Sequence, residues 1–230
     1  MVLDIETRID AGALRATRRT SAPKGMPSGL QGIAAAALLE FTMDDRGVCD
    51  DFRLTAADRA GGGERAIVAM AERKLAGLAA DDGTLVTFNG SHDLGILRLA
   101  AVRQRQFDHA AAAGWLRDGG DRHDDLMLEL ESGPRAWPRL DDIAAKLGIV
   151  SNSEFFLGDV ATSAERMKCE LDVVVTLALY MHIMSERMKS VDPLLHGMTR
   201  LAGFVSDRLP KAPHFQAAMR APAFVAAAGH

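Results

Sequence analysis

Val2-Leu3-Asp4-Ile5-Glu6 is the stretch on which the reading of this chain turns. Apolar and acidic residues alternate there, the pattern of a short strand, and on a strand residues two apart share a face. Asp4 and Glu6 therefore project one way, while Leu3 and Ile5 enter the layer behind, which puts the two carboxylates within roughly 7 Å of each other. Two anions held that close on a central strand raise each other's pKa unless a cation lies between them. A donor set made only of oxygens suits a hard divalent ion such as Mg²⁺ or Mn²⁺. An acidic pair at a water-exposed strand end gives the same pattern, so the pair needs further acids to carry meaning.

Two more strands are expected at Ile33 to Phe41 and Val48 to Leu54, joined as a hairpin by the turn Asp44-Asp45-Arg46-Gly47. From Glu64 the apolar period becomes helical through Ile67, Met70, Ala71, Leu75 and Leu78. Thr84 to Phe88 reads as a buried strand broken by Asn89-Gly90, with Ser91 as the cap of a helix to about Arg105. An alanine-rich helix to Trp115 follows, then a fifth strand at His123 to Leu128 and a short helix from Leu140 ended by Gly148. Thr162-Ser163-Ala164-Glu165 has capping-box spacing and starts the longest helix, to about Met188. Four prolines, at 193, 210, 213 and 222, punctuate a short-helix tail. The order βββαβαβα predicts one mixed sheet with helices on its faces.

With 230 residues, 48% of them hydrophobic, the chain is sized for one globular domain with a helical appendage. A net charge of -4 excludes a globally basic nucleic-acid coat, so any such contact is local or metal-mediated. Cys49 and Cys169 lack metal-ligand or disulfide-framework spacing and fit a reducing cytoplasm. The amino terminus carries no secretory signal pattern, and the uncharged run from Val173 to Ser185 is short of the ~20 residues that span a bilayer. A soluble protein is expected, with no membrane partner. Arg8, Arg15, Arg18, Arg19 and Lys24 against Asp10 alone form a basic stretch after the first strand. It either tracks a phosphate backbone or is a solvated loop.

Two further acids sit where elements would bring them to Asp4 and Glu6. Asp93 lies in the first turn of a helix that follows a central strand, where the helix dipole favours a carboxylate; simple charge complementarity would also place it there. Asp172 lies one residue off the apolar stripe Met167, Leu171, Val174, Ala178 and Met181, among Val173, Val174 and Val175. A charge so placed wants a partner, either a metal shared with the first strand or Lys168 four residues earlier on the helix.

Taken together these residues resemble the DEDD 3′-5′ exonucleases, most closely stand-alone bacterial proteins similar to the proofreading domain of family B DNA polymerases. The resemblance rests on Leu3-Asp4-Ile5-Glu6-Thr7, on Thr87-Phe88-Asn89-Gly90-Ser91-His92-Asp93-Leu94, and on Cys169-Glu170-Leu171-Asp172-Val173. His123 to Met127 and Leu140 to Gly148 are similar to the family's connecting strand and helix, so the matches run from Leu3 to about Tyr180. The resemblance implies an α/β RNase H-like fold over residues 1–190, with a five-stranded mixed sheet whose first three strands are antiparallel and whose later strands are parallel. A helical extension, 191–230, would pack on the same domain. It also implies that Asp4, Glu6, Asp93 and Asp172 hold two Mg²⁺ or Mn²⁺ ions, that the 3′ end of single-stranded DNA or RNA is the partner, with DNA favoured, and that Thr7, Arg8 and Asn89 contact the terminal nucleotide.

One position departs from the family. Where its members carry a tyrosine four residues before the last aspartate, or a histidine five before it, this chain has Lys168 and Met167. An ammonium cannot accept a proton while charged, so Lys168 enters the catalytic set as a phosphate clamp or as a plug competing with a metal. The alternative function is therefore a weak or inactive exonuclease-like protein that binds nucleic acid. Tyr180, two turns on, and His92 and His123 are expected to be structural.

Overall fold

The computed structural model describes residues 1–17, 28–107, 110–130, 138–149 and 164–229. Five strands, β1 (Val2–Ile9), β2 (Gln31–Met43), β3 (Cys49–Asp58), β4 (Leu85–Thr87) and β5 (His123–Asp125), form one sheet in the order β3-β2-β1-β4-β5. β1, β2 and β3 pair antiparallel, whereas β4 and β5 run parallel to β1, the mixed five-stranded sheet that was expected. The helices are α1 (Ala11–Ala16), α2 (Gly63–Ala80), α3 (Gly90–Arg103), α4 (Ala111–Asp118), α5 (Leu126–Glu129), α6 (Leu140–Lys146), α7 (Ala164–Met188), α8 (Met198–Arg208), α9 (Gln216–Met219) and α10 (Pro222–Ala228). None of them is long and apolar enough to cross a membrane.

Alternation along the strands divides the core in two. Leu3, Ile5, Ala36, Leu38 and Leu85 face α2, α3 and α4, where they meet Ile67, Leu75, Leu94 and Leu97. Val2, Ala35, Ala37, Leu39 and Val86 face α7 and meet Val174, Leu177, Ala178 and Met181. Phe215 and Phe224 of the C-terminal segment are fully buried in this second core, so that segment belongs to the same domain.

β2 is covered on both faces, and its middle run Ala34-Ala35-Ala36-Ala37 is almost wholly buried. The small side chains at Ala35 and Ala37 let α7 approach the sheet closely, next to the β1 residues that pair with them, Glu6 and Asp4. A register shift lies between Glu6 and Thr7, a bulge that ends the regular ladder at the second acid.

Several local expectations change. β5 stops at Asp125 and does not run to Leu128, because the Asp125 carboxylate accepts from the Met127 N–H at 3.2 Å and starts the short helix α5. Ser91 lies inside α3; the residue preceding that helix is Asn89, in the left-handed conformation (φ 71°) without a side-chain cap. Asp125 supplies what the cap lacks, accepting from the Asn89 N–H at 3.0 Å and the Gly90 N–H at 2.8 Å. Thr162 and Ser163 of the expected capping box lie outside the described residues.

α3 meets the β4–β5 edge so closely that Gly90 is obligatory. A Cβ there would stand 2.1 Å from Thr87 Oγ1 and 2.7 Å from His123 Nε2, two atoms already joined at 2.9 Å. Gly90→Ala is therefore expected to lower unfolding free energy by about 1–3 kcal/mol, as overpacking does. Urea denaturation checks this, and a wild-type midpoint would contradict the packing described.

Candidate metal centre

Asp4 and Glu6 leave β1 on the face that receives α7, and Asp172 descends from α7 between them and water. One ligand oxygen from each of the three carboxylates lies within 4.8 Å of the other two, a spacing that one cation can bridge. The side chains of Glu6 and Asp172 are only 22% and 13% exposed. Asp4 Oδ2 is buried and has no hydrogen-bond partner, an unmet acceptor in the middle of the group.

The charges respond as crowded carboxylates should. Burial, then the negative charges of Asp172 and Glu6, push the Asp4 carboxyl well above the usual aspartate range, while Lys168 and a hydrogen bond with Cys169 work against the shift. Burial raises Asp172 to about 6 in spite of Lys168 beside it. Asp93, 5% exposed in the first turn of α3, is raised by burial and then by Asp4, Glu6, Asp125 and Asp172. It stands outside the group of three within 4.8 Å, yet close enough that Asp4 is its strongest charged neighbour. The four acids expected from the sequence thus occupy one region, three as a tight group and Asp93 beside it.

Lys168 is the positive charge of this region. Its Nζ pairs with Glu6 and, at 2.8 Å, with Asp172. Burial would lower its pKa, but the charges and hydrogen bonds of Asp172 and Glu6 outweigh that and raise it, so the ammonium is held protonated. Of the two roles expected for Lys168, this geometry is the one that competes with a metal.

The other expected positions are more peripheral. Thr7 follows Glu6 on β1 and is partly exposed. Arg8, 51% exposed, pairs with Glu165 at the start of α7. Asn89 serves the turn before α3, and its side chain caps nothing. Tyr180 is buried and tilts against Phe41. His123 bonds to Thr87, a structural task. Of the basic stretch, residues up to 17 are described and include helix α1; Arg18, Arg19 and Lys24 lie outside the described residues.

Asp125 had no role assigned from sequence. It holds the N-terminus of α3, and hence Asp93, in place, and its only sequence signal was the acidic pair Asp124-Asp125 closing a strand. Cys169 was read only as an unpaired thiol, whereas it hydrogen-bonds Asp4.

Two measurements test the electrostatics. Replacing Lys168 by Met removes the resident cation, so Mn²⁺ is expected to bind about tenfold or more tightly than in wild type, measured by calorimetry; unchanged affinity would show that the ammonium does not compete. Asp172 binds its proton more tightly folded than unfolded. In EDTA its contribution to stability should therefore fall as pH rises from the ordinary aspartate value through about 6 and stay constant above. Wild type should lose stability relative to Asp172→Asn between pH 4 and 7 in urea melts, and parallel curves would count against the burial described.

Compared with known proteins, the chain matches no family description, no curated protein and no solved structure.

Proposed function

We propose that this protein is a metal-dependent 3′-5′ exonuclease of the DEDD type, hydrolysing the terminal phosphodiester of single-stranded nucleic acid, with DNA favoured over RNA. The observation that carries this reading is the three-carboxylate group with an unmet, buried Asp4 oxygen at its centre. An all-oxygen set with raised proton affinities fits Mg²⁺ or Mn²⁺ in preference to softer ions. Asp4, Glu6 and Asp172 would hold the ions, with Asp93 completing the second ion's set directly or through water. Two divalent ions bound there lower the pKa of an attacking water and stabilise charge on the leaving 3′ oxygen.

The protein's own groups have definable parts in this scheme. Cys169 orients the Asp4 carboxylate through its hydrogen bond. Asp125 fixes the first turn of α3 and so the direction of Asp93. Thr7 and Asn89 border the acids and carry the hydrogen-bonding groups a terminal nucleotide needs, and Arg8 lies farther along β1 for the backbone. Displaced from the carboxylates by a metal, Lys168 retains its charge and becomes a ligand for a phosphate oxygen.

A second reading is favoured by one observation, the bridge from Lys168 to both Glu6 and Asp172. If that bridge persists in the presence of metal, the protein binds nucleic-acid ends without cutting them, or cuts weakly. Purified protein on 5′-labelled single-stranded DNA and RNA with Mg²⁺ or Mn²⁺ separates the readings. The nuclease is expected to shorten strands from the 3′ end, and Asp4→Asn to reduce the rate by at least about 100-fold. Lys168→Tyr should raise it by about 10-fold or more, since a tyrosine hydroxyl can orient the water. Strand binding without shortening, in wild type and Lys168→Tyr alike, would leave the second reading in place of the first.

A further inference from the structure

α7 presents a second polar stripe that the carboxylate cluster does not use. Arg166 and Glu170, one turn apart, point away from Lys168 and Asp172 and toward a cavity of about 350 Å³ between β3, α7 and the C-terminal segment. That size is within the range of small-molecule sites, ~300–1,000 Å³. Leu54 and Ala56 form its floor, and Arg208, Lys211 and His214 form its far wall.

The charge in this cavity is unbalanced. Glu170, 7% exposed, is bonded by Arg166 Nε at 2.8 Å and lies 2.9 Å from His214 Nε2. Although burial opposes its ionisation, His214 and Arg166 hold its carboxyl below the ordinary glutamate range. Its charge is thus already engaged, which leaves Arg208 and Lys211 as cations in excess. The Arg208 guanidinium rests over the Phe204 ring with its carbon 4.4 Å from the centroid, an arrangement that restricts its swing. His214 is only 6% exposed, and its Nε2, though at ion-pair distance from Glu170, is outside hydrogen-bond alignment, an unsatisfied buried atom in the cavity wall.

The cavity also stands in a defined relation to the carboxylates. Ala56 pairs with Ala37, which pairs with Asp4, so floor and metal centre lie on one ladder line, two strand spacings or roughly 10 Å apart on the same face. Along α7, Arg166 precedes Asp172 by six residues, about 9 Å of helix axis.

From this juxtaposition we infer that the cavity is a phosphate-binding subsite, which takes a backbone phosphate of the strand whose 3′ end lies at the carboxylates. Guanidinium and ammonium groups converging in a half-enclosed, polar cavity are the chemistry that recognises phosphate. The assignment to a strand rests on the proposed nuclease reading, whereas the phosphate site itself does not.

The test uses the full chain as wild type, as Arg208→Gln/Lys211→Gln, and as the charge-keeping Arg208→Lys/Lys211→Arg, with thermal melts confirming that each is folded. Inorganic phosphate is titrated by calorimetry in EDTA, and 5′-fluorescein single-stranded octanucleotides of DNA and RNA by anisotropy with Ca²⁺ across a salt series. Phosphate is expected to bind wild type and the charge-keeping variant saturably, and the double glutamine variant at least about tenfold more weakly. Oligonucleotide affinity should fall in parallel, with a salt slope shallower by about 1.4 for two lost phosphate contacts on a single strand. Absence of saturable phosphate binding, or equal binding by the glutamine variant, overturns the site. Weakened phosphate binding with unchanged oligonucleotide affinity overturns its assignment to the strand. The phosphate titration needs neither metal nor cleavage, so loss of the nuclease reading and loss of this site are separate results.

Discussion

Three carboxylates from two elements more than 160 residues apart in sequence are pressed to within 4.8 Å of one another, and this repulsion is the constraint around which the site is organised. At ~4 Å and an effective dielectric near 20, each pair of full charges would oppose folding by about 4 kcal/mol. Whole domains are stable by only ~5–15 kcal/mol, so three ionised acids with Asp93 beside them are untenable without compensation. Compensation takes three forms here. Protons are one, as the raised pKa values of Asp4, Asp93 and Asp172 indicate. The Lys168 ammonium is a second, and it reaches only Glu6 and Asp172. A divalent ion is the third, and it alone would satisfy the buried Asp4 oxygen that neither lysine nor backbone touches.

The scaffold makes this crowding possible through shape. Alanine at 35 and 37 leaves no bulk between β2 and α7, and the helix settles where Asp172 meets β1. On the opposite face Leu3 and Ile5 anchor the same strand into a separate core, which stops β1 from rotating its acids outward. At the other border, Asp125 ties β5 to the start of α3. Strand, long helix and helix N-terminus are each fixed by packing or hydrogen bonds outside the cluster, so the acids cannot relax by moving apart.

What the sequence disclosed follows from periodicity. A two-residue period is unambiguous on a strand, so Asp4 and Glu6 were legible as a pair, and a 3.6-residue stripe placed Asp172 at the edge of a buried helix face. The α/β class and the mixed sheet were legible from the order of elements. Caps were not, because a cap depends on which side chain arrives from elsewhere. Ser91 has the right chemistry, but Asp125 arrives 35 residues later in the chain and occupies the place first. The same holds for His214, whose meeting with Glu170 is set by how the C-terminal helices fold back, a matter of tertiary packing with no local signal.

α7 ties these observations together. Its apolar stripe fills one core, its Lys168–Asp172 stripe faces the strand acids, and its Arg166–Glu170 stripe faces the cationic cavity. One rigid helix therefore sets the separation between a cluster of negative charge and a cluster of positive charge, a separation that loops would not hold. A chain with a net charge of -4 repels polyanions at long range, so contact with nucleic acid requires positive charge concentrated at short range. On the reading proposed above, bound cations at the acids and fixed cations in the cavity provide that concentration about 10 Å apart. An acidic protein can then engage a polyanion through two local sites without a basic surface.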